Sequence, residues 1–194
     1  MSQDDIEALA AARAGDSKGY RSLMDRHSRT VFRLAYRMTG NEQDAEDVVQ
    51  ETFLRAFRQI SHFDGRASFS TWVHCIAANY ARDLLRAQKR RSEMSMTSDE
   101  GEDRANHIPT VDPNPERLAM SGQMRKILAP AMAQLSESER VAFVLRHYEG
   151  YSTDEIATAL GVQPNAAKHS VFRAVQKLRR VLEVSLASVR PEES

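Results

Sequence analysis

The chain has 194 residues, room for one medium domain or two small ones, and its 27 Lys+Arg balance its 27 Asp+Glu, so net charge alone points to no polyanionic partner. Its one cysteine, Cys75, excludes an internal disulfide and suits a reducing cytoplasm. No apolar run approaches a membrane span, and the acidic start Met1-Ser-Gln-Asp-Asp-Ile-Glu lacks the pattern of a signal peptide, so a soluble, intracellular protein is expected.

In chain order, Ile6, Leu9 and Ala10 predict a short amphipathic helix over about residues 4–13, broken at Gly15-Asp16. From Gly19 to Thr39 the apolar set Tyr20, Leu23, Met24, His27, Val31, Leu34, Ala35 and Met38 recurs at three and four, which predicts a long helix. Gly40-Asn41 is a stop and turn. The acids Glu42, Asp44, Glu46 and Asp47 then occupy the first turns of a third helix, where the helix dipole favours them. That helix, about Glu42 to Ile60, should bury Val48 or Val49, Phe53, Phe57 and Ile60, leaving Asp47, Gln50 and Glu51 for solvent or a partner. The turn residues of Ser61-His-Phe-Asp-Gly-Arg-Ala67 predict a loop. Ser68 or Ser70 can cap the next helix, about Phe69 to Arg91, along which Trp72, Ile76, Tyr80 and Leu84 run at spacings of four.

Charge is distributed unevenly along these elements. Arg82, Arg86, Lys89, Arg90 and Arg91 face a single Asp83 at the end of the fourth helix, whereas Glu42 to Glu51 carries acids and no base. Different surfaces should therefore meet different partners. Residues 92–115 change character, with Ser, Thr, Gly, Asn, three prolines (Pro109, Pro113, Pro115) and the acids Asp99, Glu100, Glu102 and Asp103, and read as a flexible acidic linker. Its acidity serves solubility, or lets the segment occupy a basic channel in place of nucleic acid. The linker separates a domain at 1–91 from a second at 116–187, with a frayed tail at 188–194.

The second domain opens with a helix around Pro115 to Met132, kinked at Pro130. Ser136 with Glu139 forms a capping box for the helix that follows, which ends before Gly150. Ile156, Ala157 and Leu160 then repeat at helical spacing, Gly161 stands where a left-handed residue ends a helix, and Pro164 fits the first turn of another. This is a helix-turn-helix. In its second helix Val171, Val175 and Leu178 make the inward stripe, and Asn165, Lys168, His169, Phe172, Arg173 and Gln176 lie elsewhere on the surface. Lys168, Arg173, Lys177, Arg179 and Arg180 come with no acid between them, so the helix can approach phosphates without repulsion. The plainer reading is a helical hairpin with a solvated basic face. No alternating strand pattern competes anywhere, and the fold class is all-α, two small helical domains.

Five stretches carry a resemblance that covers nearly the whole chain: Asp44-Ala-Glu-Asp-Val-Val-Gln-Glu-Thr-Phe-Leu-Arg-Ala-Phe57, Phe63-Asp-Gly-Arg-Ala-Ser-Phe-Ser-Thr-Trp72, Ile76-Ala-Ala-Asn-Tyr-Ala-Arg-Asp-Leu-Leu-Arg86, and Leu135-Ser-Glu-Ser-Glu-Arg-Val-Ala-Phe with Glu149-Gly-Tyr-Ser-Thr-Asp-Glu-Ile-Ala157. They resemble the extracytoplasmic-function class of bacterial sigma factors. The resemblance implies that the first domain is a sigma region 2 and the second a sigma region 4. It implies that Asp47, Gln50, Glu51 and Phe53 dock on the clamp helices of the RNA polymerase largest subunit, and that the second domain meets the flap of the second-largest subunit. It places the minus-ten element on His62, Phe63, Asp64, Arg66, Asn79, Tyr80, Arg82, Arg86, Lys89 and Arg90, where an opened strand needs a pocket for an extruded base and cations for its phosphates. It gives Trp72 to the same region, although the stripe through Ile76 and Tyr80 makes it mainly a core residue. The minus-thirty-five element falls to Asn165, Lys168, His169, Arg173 and Lys177, since a recognition helix reads bases with its N-terminal part. At Asn165-Ala-Ala-Lys-His-Ser the chain departs from the common Gly-Thr-Val-Lys-Ser-Arg run, so the promoter sequence is not transferable. An anti-sigma factor, a monomeric free state, a cytoplasmic location (with the nucleoid when in holoenzyme) and a stress or envelope response complete the expectation.

Two other classes fit less of the chain. A conventional dimeric helix-turn-helix regulator explains residues 135–180 but leaves the acidic third helix and the basic fourth without work. An enzyme lacks its parts: His74 and Cys75 are adjacent and point about a hundred degrees apart on a helix, His27, His62, His107, His147 and His169 show no metal spacing, and there is no glycine-rich phosphate loop. No catalytic residue, cofactor, metal site or membrane insertion is expected, and Cys75 reads as a small buried apolar residue.

Overall fold

The computed structural model describes residues 2–65, 67–95, 128 and 130–187. Among them all regular structure is helical, and the chain divides into two compact units, Met1–Asp99 and Glu100–Ser194.

The first unit contains α1 (Gln3–Arg13), α2 (Ser17–Thr39), α3 (Glu42–Gln59), a 3-10 turn (Ile60–His62) and α4 (Phe69–Ser95). Each helix start is fixed by a side chain that accepts a backbone N–H otherwise left without a partner. Ser2 Oγ accepts from Asp5, Asp16 Oδ1 from Lys18, Asn41 Oδ1 from Asp44 and Ser68 Oγ from Thr71. Gly40 ends α2 at φ 72°, the left-handed conformation that only glycine adopts without strain. The central α2 packs against α1, α3 and α4. Leu23, Val31, Leu34 and Met38 are fully enclosed there, with Val48 and Ala56 from α3 and Phe69, Val73, Ala77 and Ala81 from α4.

Two expected stripes are rotated by about one residue, and a third keeps Val48, Phe53 and Ile60 inside but loses Phe57. On α1 the buried set is Ala8, Leu9 and Ala12, while Ile6 is 45% exposed. On α3 Phe57 is 54% exposed, because Val48, Thr52, Phe53, Ala56 and Ile60 take the inward face. On α4 the core row is Phe69-Val73-Ala77-Ala81, one step behind the Trp72-Ile76-Tyr80-Leu84 row, which is half-buried. Small residues let helix backbones approach, and the larger side chains then fill the flanks. Cys75 is likewise half-buried, not enclosed.

The second unit contains α5 (Glu137–His147), α6 (Thr153–Leu160) and α7 (Pro164–Ala187), preceded by helical residues 130–133. The expected capping box at Ser136 and Glu139 is present with both reciprocal bonds, and a second one, at Ser152 and Glu155, opens α6. Gly161 caps α6 at φ 63°, and α7 begins on Pro164, so α6 and α7 form the helix-turn-helix. On α7 the buried residues are Ala167, Ser170, Ala174 and Leu178; Val171 and Val175 are half-buried flanks of a helix that packs closely on α5 and α6. Ser170 is tolerated inside because its hydroxyl donates to the Ala166 carbonyl at 3.0 Å. Ala131, Leu135, Ala174 and Leu178 form the core, with Leu128, Met132, Phe143 and Val181 against it. The linker beyond Ser95, most of the helix expected at 115–132, and the tail at 188–194 lie outside the described residues; residues 92–95 continue α4.

Candidate nucleic-acid and partner interfaces

A groove of about 900 Å³ runs between α2 and α3. Its walls carry Met24, Leu54 and Phe57, which are 36%, 44% and 54% exposed, a concentration of apolar surface that a lone folded domain has no use for. Tyr20 forms part of its floor, with its hydroxyl donating to the Phe53 carbonyl and its ring edge-on to Phe57 at 5.0 Å. Burial raises the Tyr20 pKa to about 12, so the phenol stays protonated. Asp47 and Gln50 line the same groove and are exposed. Glu51 is half-buried and already paired, its Oε1 2.6 Å from Arg55 Nε, and the Arg55 guanidinium lies 4.9 Å from the centre of the Tyr80 ring. Phe53 is buried, as its place in the α3 stripe predicts: at 4% exposure it shapes the groove from inside the core, at odds with the accessible contact that the resemblance implies.

The basic end of α4 forms a second surface. Asn79, Asp83, Arg86 and Arg90 follow one another at spacings of four, three and four, on the side of α4 away from Ala77 and Ala81. Arg86, Lys89, Arg90 and Arg91 are exposed. Arg82 is more enclosed, 17% exposed, with Nε 3.8 Å from Asp83 Oδ1. Tyr80 points elsewhere: it lines the α2–α3 groove under Arg55, a hundred degrees round the helix from Asn79.

The loop before α4 is anchored and not merely polar. Phe63 is 3% exposed, 5.0 Å from Trp72 and 6.0 Å from Phe69 between ring centres, with the Arg13 guanidinium 5.9 Å from its ring centre. It is therefore a plug that holds the loop on the α4 N-terminus, and not the exposed side chain that the expected contact calls for. His62 and Asp64 are exposed on either side, and Arg66 lies outside the described residues. Trp72 is half-buried in this aromatic cluster, close to its expected core role. Behind it, His74 is 4% exposed with Nε2 3.4 Å from Thr30 Oγ1; burial, then the nearby His27, lower its pKa to about 4. Asp5, a buried acid that helix periodicity does not flag, ties α1 to α2 through Arg26 at 2.9 Å and His27 at 3.2 Å.

The third surface is the outer side of α7. Asn165, Lys168 and His169 are exposed at its start, and Phe172 is 60% exposed one turn further on. Arg173 and Lys177 are exposed too, but both reach Glu139 of α5, a partner that sequence spacing does not reveal. Burial pushes the Glu139 pKa up, yet hydrogen bonds from Lys177 and the Ser136 backbone outweigh it and hold the carboxyl below its usual range. Among the described residues no group of three or more His, Cys, Asp or Glu could hold a metal, and no helix is long and apolar enough to cross a membrane.

Comparison with known proteins places these surfaces in a family. Residues 23–91 match Sigma-70 region 2 and residues 125–178 match Sigma-70, region 4. An ECF RNA polymerase sigma-E factor of Haemophilus influenzae is 33% identical over 172 residues, covering 87% of this chain and 90% of that protein. The RNA polymerase sigma-H factor of Pseudomonas aeruginosa is 28% identical over 183 residues, 93% of this chain and 95% of its own. The ECF RNA polymerase sigma factor SigE of Mycolicibacterium smegmatis is 37% identical over 160 residues, 82% of this chain, which spans only 60% of that longer relative. Among solved structures, CnrH in complex with the cytosolic domain of CnrY aligns with TM-score 0.63 at 25% identity over 94% of this chain and 99% of that one. The sigma factor RpoE of Bartonella quintana, solved with the anti-sigma factor NepR, shares the fold at TM-score 0.66 and 21% identity, over 86% and 98% of the two chains. The chain belongs to the extracytoplasmic-function class of the sigma-70 family.

Proposed function

We propose that this protein is an alternative sigma factor that binds core RNA polymerase and directs promoter-specific initiation, serving a stress or envelope response. The observation that carries this reading is the groove between α2 and α3, apolar along its walls and edged by exposed Asp47 and Gln50, on a different compact unit from a basic helix-turn-helix. An apolar trough with an acidic rim suits an amphipathic basic helix of a partner, and the polymerase clamp helices supply one. Residues 1–91 would then dock and open the minus-ten element, 92–115 link, and 116–187 read the minus-thirty-five element and meet the flap. Asn79, Arg82, Arg86, Lys89 and Arg90 serve the opened strand, with the exposed His62 and Asp64 of the preceding loop and with Arg66; Asn165, Lys168, His169, Arg173 and Lys177 serve the upstream duplex.

The chain acts by binding and positioning and not by a reaction of its own, in the cytoplasm and on the nucleoid when in holoenzyme. An anti-sigma factor silences it by covering the same groove, in keeping with the complexes in which CnrH and RpoE were solved. The deciding experiment is run-off transcription with bacterial core RNA polymerase on pooled genomic fragments, with and without the protein. Discrete new start sites sharing two upstream elements are the expected result. Tight DNA binding by the protein alone, with no gain of initiation, would replace this reading by a dimeric regulator.

A further inference from the structure

Glu139 does more than cap α5. Its Oε2 accepts the Ser136 backbone N–H at 2.9 Å and the Lys177 ammonium at 2.7 Å, while Oε1 lies 3.4 Å from Arg173 Nε. The carboxylate is 5% exposed, yet the side chains it holds are 62% and 44% exposed for Arg173 and Lys177. A buried anion thus holds Arg173 at its inner Nε and Lys177 at its terminal ammonium, the latter across 38 residues of sequence.

An arginine engaged through Nε keeps both Nη groups for an outward fork, the geometry that meets the O6 and N7 acceptors of guanine. The Nε contact, an ion pair at 3.4 Å, also biases the side-chain torsions toward that fork before DNA arrives. A capping box alone requires neither effect. Glutamine at the same place would accept from Ser136 equally well, and the cap is complete without any contact to α7.

We infer that Glu139 is a positioning residue for promoter recognition: it presets the Arg173 fork toward a base pair of the upstream element and withholds Arg173 and Lys177 from indiscriminate phosphate contacts. This rests on the proposed role of α7 as the upstream reader. It makes a combination of expectations that loss of structure cannot imitate, since an unfolded unit binds every duplex less.

The test uses the full chain with core polymerase, on promoter fragments recovered by the run-off experiment and carrying single base-pair changes through the upstream element, with an unrelated duplex alongside. Glu139→Gln keeps the length and the capping acceptor but removes the charge. Preference at the base pair that Arg173→Ala also flattens should fall about tenfold, in line with the loss of one bidentate pair, while preference elsewhere stays. Affinity for the unrelated duplex should rise, with a salt dependence steeper by about one to two released ions as the two cations turn to phosphates. Glu139→Asp, which keeps the charge and shortens the reach, should lose part of the preference without the gain on unrelated DNA, and it carries the test if the Gln variant proves poorly helical. Wild-type base-pair preference in both variants, or a uniform loss on all duplexes, would overturn the inference. Absence of any upstream preference in the wild type would instead overturn the role given to α7.

Discussion

Replacing Gly19 by alanine sets two effects of opposite sign against each other. Gly19 lies in the first turns of α2, and alanine there improves helix propensity by up to about 1 kcal/mol, less near a helix end. A Cβ at this position, however, would sit 2.7 Å from each of the Ala11 Cβ, the Ala12 nitrogen and the Ala8 carbonyl oxygen. Two of those three atoms are backbone of α1 and no side-chain rotation removes them. Relief therefore requires α1 to move off α2 as a body, and such overpacking costs about 1–3 kcal/mol or more. The clash should win, with a net destabilisation of about 1–2 kcal/mol, which lowers the melting temperature of a unit this size by roughly 4–8 °C for each kcal/mol. Trp72, the sole tryptophan, lies in the first unit and reports its unfolding in a urea or thermal titration of the whole protein. Tyr20 follows Gly19 and lines the partner groove, so core polymerase affinity should fall as well. A variant more stable than the wild type would show that α1 is not held against α2 as described, and the propensity term would have decided the outcome.

Asp47→Ala combined with Gln50→Ala should weaken binding to core polymerase by about tenfold or more, roughly 1.4 kcal/mol, with helicity and Trp72 emission unchanged; equal affinity in a fluorescence competition assay would defeat the docking assignment. Lys168→Ala should weaken promoter binding by a similar factor for every sequence and reduce the salt dependence by about one ion, whereas a loss confined to one base pair would make Lys168 a base reader. The His74 pKa is lowered from the ordinary 6.5 to about 4, so between these values the unfolded chain holds a proton that the native chain does not. Stability contributed by neutral His74 is thus full above pH 6.5 and declines as pH falls toward 4, by at most about 3 kcal/mol. His74→Gln should flatten that part of a urea-midpoint profile; the same slope with and without the histidine would rule out His74 as its source.

Local signals were legible because they are written in adjacent residues. Ser136 with Glu139, Gly161 in the left-handed conformation and Pro164 at a helix start all follow from backbone requirements that operate within four positions. The all-α class followed from the same periodicities. What the sequence did not disclose is which of two neighbouring rows faces inward. Trp72, Ile76 and Tyr80 outrank Val73, Ala77 and Ala81 in hydrophobicity, yet the smaller row is the one at 0% exposure, because close helix approach selects for size as well as for polarity. The same effect exposes Phe57 beside buried Ala56. For the site, exposed Asp47, Gln50, Lys168 and His169 and buried Phe53 were readable from helix angle, but the burial of Phe63 was not, since a loop has no periodicity to show which of its members plugs the core. The Glu139 contacts to Arg173 and Lys177 join elements distant in sequence and have no local signature.

The ion pairs of the first unit differ in a way that bears on how a partner could be engaged. Asp5 is 12% exposed and shared by Arg26 and His27, so removing both partners would strand a largely buried acid, and the cluster serves to fasten α1 to α2. Glu51 and Arg55, at 28% and 39% exposure and one helical turn apart, form the kind of pair that contributes about 0.3–0.5 kcal/mol. Such a pair is exchanged readily for a cation of an incoming helix. Arg55 would not be left in solvent by the exchange, because its guanidinium already rests over Tyr80, whose ring lines the same groove. Gln88 of α4 donates to Asp44 of α3 at 2.9 Å, a second tie between the helix that carries the acids and the helix that carries the bases. The groove edge is therefore adjustable at Glu51 while α3 and α4 stay joined. In the proposed docking Glu51 is therefore available at small energetic cost, with the Gln88–Asp44 bond and the Arg55–Tyr80 contact still joining α3 to α4.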